Sequence, residues 1–135
     1  MNRGWGGGGR GDGLARMEFT GRVPLEMHSI KLLSDGLLVQ FTKPLAAEVE
    51  LTATYVRIEQ FGYHYWGEYG SPKIDREILR VSSIYTNADR REVRLQIKGL
   101  KPDRVCHLTF DHLPSADGDF LLHPQAFYTI NHLAD

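Results

Sequence analysis

At 135 residues the chain has the length of one domain, enough to bury roughly two-thirds of its unfolded surface without covalent staples. Its hydrophobic share of 41%, charged share of 24% and net charge of −1, with no Lys/Arg run, argue against a nucleic-acid partner, which normally meets a basic face. The lone Cys106 excludes an intrachain disulfide, a thiolate zinc knuckle and a CxxCH haem attachment, and no apolar run nears the about 20 residues of a membrane span.

In chain order, the first thirteen residues carry seven of the fourteen glycines. Such a tract buries little and loses much backbone entropy on ordering, so it reads as a linker or as a loop awaiting a partner. A phosphate-cradling loop would need a strand before it and a helix after it. Neither flanks "GGGGRGDG", and its "RGD" is a short tripeptide in a glycine tract. No apolar signal-peptide core is visible either.

From Leu14 onward the pattern has a period of two. "LARMEFT" sets Leu14, Arg16 and Glu18 against Ala15, Met17 and Phe19, predicting a strand. "EMHSIKLL" and "LLVQFT" flank "SDG" as a hairpin, with Leu37, Val39 and Phe41 on one face. "KPLAAEVELTA" is a connection with room for one helical turn. "TYVRIEQF" alternates Val56 and Ile58 against Tyr55, Arg57 and Glu59. "EILRVSSIYT" predicts the next strand, and "NADRR" a polar turn. "EVRLQIKGL" points Val93, Leu95 and Ile97 inward and Arg94, Gln96 and Lys98 outward. "VCHLTFDHL", the turn "PSADGD" and "AFYTIN" complete the set. Seven or eight short strands, punctuated by turns about every ten residues, predict an antiparallel β-sandwich of immunoglobulin or fibronectin-III type. Without a cysteine pair its core must rest on apolar packing.

Few residues in this frame suggest chemistry. None of the six histidines has the spacing of a two-ligand metal motif. His107 and His112 are five apart and so point to opposite faces of a regular strand. No nucleophile elbow is present. Cys106 fits a small buried hydrophobe. Asp111, Asp117 and Asp119 lack the offsets and terminal Glu of a calcium loop, and "SADGD" reads better as a turn with Gly118 at positive φ.

The one unusual stretch is "FGYHYWGEYGSP", which packs five of the fourteen aromatic residues into nine positions. Tyr63, Tyr65, Trp66 and Tyr69 have two readings. As a strand end and ordered loop, they pack on the sandwich or dock on a neighbouring domain. As a platform, they stack on sugar rings.

The segment "GWGGGGRGDGLARMEFTGRVPLEMHSIKLLSDGLLVQFTKPL" resembles the junction that follows a glucose/sorbosone dehydrogenase-like β-propeller in large bacterial proteins. There the last propeller strand reads like "GLQRLRYTG" and the lead-in to a C-terminal sandwich like "PFEMH". The counterparts are Gly13 to Gly21 and Pro24 to His28. "YGSP" at 69–72 and "LLHPQAFYTIN" at 121–131 are similar to later parts of that sandwich. The resemblance implies a division into residues 1–21, the glycine-rich loop and strand ending a propeller, and residues 22–135, the sandwich. It implies a non-catalytic accessory or docking module, with an N-terminal propeller as partner and carbohydrate contact as the alternative. It also implies a periplasmic or extracellular setting. Some relatives carry ThuA-like, cytochrome c or other haem-binding modules. The family's catalytic and quinone-binding residues lie in the propeller, so no catalytic, cofactor or metal residue is carried onto this chain.

Overall fold

The computed structural model describes residues 13–67 and 70–135. Among them, eight strands form in chain order: β1 (Met27–Leu33), β2 (Gly36–Phe41), β3 (Val56–Tyr63), β4 (Lys73–Leu79), β5 (Val81–Thr86), β6 (Glu92–Ile97), β7 (Arg104–Phe110) and β8 (Gln125–Ile130). A single 3₁₀ turn, Ala53–Tyr55, leads into β3. The strands form two four-stranded sheets, ordered β1-β2-β6-β5 and β4-β3-β7-β8, and every pairing is antiparallel. In immunoglobulin lettering these are A-B-E-D and C′-C-F-G.

The inward residues follow the alternation of the sequence. Leu37, Val39 and Phe41 of β2 and Val93, Leu95 and Ile97 of β6 meet Val56 and Ile58 of β3 and Cys106, Leu108 and Phe110 of β7, all buried. Each such aliphatic or aromatic side chain contributes roughly 1.5–3 kcal/mol on burial. Between the sheets, the rings of Phe41 and Phe110 meet edge to face with centroids 5.6 Å apart. In immunoglobulin domains a disulfide joins strands B and F. Here strand F carries Cys106, which is buried and unbridged.

Two sequence expectations change. "EILRVSSIYT" is not one strand but parts of two, β4 and β5, which lie in different sheets. Leu79 pairs with Ile58 in one sheet and Val81 with Ile97 in the other, so the chain crosses the sandwich at Arg80. Leu79 and Val81 are two apart and both pack on the core. The alternation therefore runs through the break and hides it. The segment "LARMEFT" forms no strand, and Leu14, Met17 and Phe19 are exposed. A strand requires a paired neighbour, and among the described residues none lies beside this segment. The glycine-rich tract at 1–12, read as a linker or a loop awaiting a partner, lies outside the described residues. Leu25 is the first side chain to enter the core.

Polar tethers hold the connections. Lys43, after β2, reaches across to the loop between β7 and β8, with Nζ 2.9 Å from Asp117 and 2.7 Å from Asp119. The Ser115 hydroxyl donates to Asp117, and Gly118 takes φ +89°. The acidic turn is thus an ion-paired corner, with an ammonium group between its carboxylates. Arg90 donates to the carbonyls of Leu45 and Val49 at 3.3 and 2.9 Å, holding the long β2–β3 connection. The buried Gln60 donates to Glu77 at 2.6 Å and to the Gly99 carbonyl at 2.8 Å. Its oxygen accepts from the Lys101 N–H at 3.2 Å. A polar side chain inside the core is thereby satisfied, as burial requires.

A Cβ at Gly36 would lie 1.8 Å from the Leu95 carbonyl oxygen, so Gly36→Ala must spread the β2–β6 pair. A loss of about 3 kcal/mol is expected by urea titration. Asp117 is held down at a pKa of about 2 by the Ser115 hydroxyl and then by Lys43. A depressed carboxylate contributes stability above its unfolded pKa and loses it as pH falls through its folded pKa. Melting temperature should therefore decline as pH drops from about 4 towards 2, modestly because Asp117 is largely exposed. Asp117→Asn should make that decline shallower.

Candidate functional site

The aromatic stretch begins inside β3. Phe61 is fully buried on the outer side of its sheet. Tyr63, two residues on, shares that side and meets Phe61 edge to face at 5.4 Å. Lys73 of β4 lies over the same Phe61 ring, its Nζ 4.4 Å from the centroid. The register slips between Gln60 and Gly62, and Asp75 on the facing strand takes φ +52°. This irregularity increases local twist next to the loop.

Beyond Tyr63 the loop is closed by its own polar groups. The His64 N–H donates to Ser71 Oγ at 2.8 Å. Trp66 Nε1 donates to the Gly70 carbonyl at 2.7 Å, and the Trp66 and His64 rings stack with centroids 5.0 Å apart. Tyr63 remains 52% exposed and Trp66 46%, and Tyr65 stands wholly in solvent. Tyr69 lies outside the described residues. Of the expected contacts, Tyr63 packs on the sandwich, Trp66 packs within its own loop, and Tyr65 packs on none of the described residues.

Strand order brings a second group to the outer face of β4-β3-β7-β8, one that sequence reading did not collect. A cleft of about 390 Å³ is lined by Arg57 and Glu59 of β3, Lys73 and Arg76 of β4, and His107 and Thr109 of β7, with Asp111 and Gln125 at its end. Glu59 is almost buried and accepts from Arg76 Nε at 2.6 Å. Arg76 foremost, with Lys73 and Arg57 adding their charge, holds the Glu59 carboxyl below its usual range despite burial. His107 lies opposite Phe127 in register, and their rings stack at 4.3 Å, 9° from parallel. His107 Nε2 is 3.2 Å from Gln125 Oε1. The alternation of Arg57 and Glu59 marked them as outward. Their neighbours from β4, β7 and β8 depend on strand order, which alternation does not carry.

Burial pushes the Cys106 thiol up to about 11, the opposite of what an active nucleophile needs. Among the described residues, no three His, Cys, Asp or Glu side chains converge as a metal centre requires. Also among them, no helix is long and apolar enough to cross a membrane.

No family model matches the chain, and no curated protein matches it. Two solved structures share its fold: the S-layer protein rSbsC(31-844) and surface layer protein SbsC, domains 1-6. Each has a TM-score of 0.59 at 14% identity and covers 81% of this chain. The chain spans 14% of the length of either.

The loop geometry generates a stability prediction. Trp66 is anchored in its loop, not in the core, so Trp66→Ala should cost about 1 kcal/mol, well below the roughly 3–5 kcal/mol of a core tryptophan. Chemical denaturation distinguishes the two values.

Proposed function

We propose that this chain is a non-catalytic β-sandwich module that works by contact, docking through its aromatic loop on an adjoining domain. The model for this reading is the accessory sandwich that follows a glucose/sorbosone dehydrogenase-like propeller. The observation that carries it is a set of large rings, Tyr63 and Trp66 about half exposed and Tyr65 wholly so, on a loop whose backbone is pinned at His64 and Gly70. Pinned aromatics present contact area with little further ordering cost on binding, and exposed apolar surface of this kind marks contact sites. The segment at 13–20 supports the same reading. Its strand-like alternation and exposed Leu14, Met17 and Phe19 fit pairing with a neighbouring sheet. Any quinone or haem belongs to the other domains of such a parent. An extracellular or periplasmic setting goes with this reading, and the shared fold with surface layer proteins supports the extracellular one.

The test is immunodetection in extracts of the source cells. The domain should appear on a polypeptide well above 15.3 kDa. Detection solely at that mass overturns the accessory role.

The wholly exposed Tyr65 and half-exposed Trp66 also favour a second reading, a carbohydrate-binding module stacking sugar rings on the loop. Its expected outcome is a saturable change in tryptophan fluorescence with neutral polysaccharides, abolished in Trp66→Ala. Flat titrations across many glycans remove it.

A further inference from the structure

We propose that the cationic cleft on the outer face of β4-β3-β7-β8 binds an acidic polysaccharide, with uronate carboxylates as the groups it recognises. This site adjoins the aromatic loop at Lys73, whose ammonium also lies over the Phe61 ring, but it does not rest on the proposed loop contact.

Three cations, Arg57, Lys73 and Arg76, line a cleft whose one near-buried carboxylate is Glu59. Glu59 is engaged by Arg76 at 2.6 Å. Arg57 and Lys73 have no ion pair among the described residues, although both act on Glu59 through space. Asp111, exposed at the far end, offsets one of these charges. A positive surplus therefore stays on this wall of a protein whose net charge is −1, and charge complementarity calls for an anion.

The cations are exposed and spread along the wall. Such a site holds a single small anion weakly, because water screens each contact. It suits a repeating polyanion, in which successive carboxylates engage together and weak contacts add. The volume of about 390 Å³ lies within the range of ligand sites.

The neighbouring groups favour sugar over an acidic peptide. Thr109 and Gln125 offer a hydroxyl and an amide for ring hydroxyls. Beside them, Phe127 is 58% exposed and held flat against His107, a ring face on which a pyranose can lie.

The test is affinity electrophoresis of the intact chain through gels containing polygalacturonate, dextran or polyglutamate. Polygalacturonate should retard the protein, less so as salt is raised, while dextran and polyglutamate should retard it far less. Arg57→Gln/Lys73→Gln should weaken retardation by roughly tenfold, with the fold checked by circular dichroism. Arg57→Glu is the second variant, since the Arg57 side chain makes no hydrogen bond among the described residues and its replacement should leave the fold intact. Trp66→Ala should bind polygalacturonate as the parent does. Absence of retardation by polygalacturonate overturns the proposal, as does equal retardation of the charge variants. Equal retardation by polyglutamate overturns the assignment to sugar. Loss in Trp66→Ala with retention in the charge variants moves binding to the aromatic loop and overturns this site, leaving the carbohydrate reading of the loop standing.

Discussion

The structure depends on apolar packing between two sheets that no disulfide ties together. Val39, Leu95, Ile58 and Leu108 lie fully or almost fully buried between them, and the Phe41–Phe110 edge contact spans the gap. The burial that fills this space also buries Cys106 in strand F and raises its pKa. The one thiol of the chain thereby contributes volume rather than chemistry. Burying a polar group in such a core costs free energy unless it is hydrogen-bonded, and the buried glutamine on β3 shows how that demand is met. Gln60 ties the facing carboxylate Glu77 and the backbone at Gly99 and Lys101 into one corner.

With the inner faces committed to packing, function is left to the outer face and the loops. On β3 the two uses alternate along one strand. Val56, Ile58 and Gln60 face inward, while Arg57, Glu59 and Phe61 face the other way. The outward set carries both candidate surfaces. Arg57 and Glu59 help build the charged cleft, and Phe61 is the platform on which Tyr63 and Lys73 rest. The two surfaces meet at Lys73, yet they work by different physics. The loop offers desolvation of large rings, and the cleft offers charge. If both proposed contacts are made, two unlike partners meet on one side of the sandwich.

Much of the fold was legible in the sequence, because burial on one face imposes a period of two. The "SDG" hairpin, the inward triplets of β2 and β6 and the final strands all stand where the alternation put them. Alternation failed where it carried no pairing information. At Arg80 the phase runs unbroken from Leu79 to Val81 while the chain changes sheets. In "LARMEFT" the phase is present, and among the described residues no partner strand lies beside it. The aromatic loop was legible as composition, but the sequence did not distinguish Trp66 stacked on His64 from Trp66 in the core.

What the sequence by itself determined is the class of architecture, the inward residues of β2, β3 and β6 and the absence of an intrachain disulfide. These follow from local rules of alternation, turn chemistry and cysteine count. Only the tertiary structure decided which strands are neighbours, and therefore that Arg57, Lys73, Arg76 and His107 share one cleft and that Phe127 lies flat on His107. Those groups come from β3, β4, β7 and β8, up to 70 positions apart along the chain. Their meeting depends on hydrogen-bonded register between strands, which no periodicity within a single strand encodes.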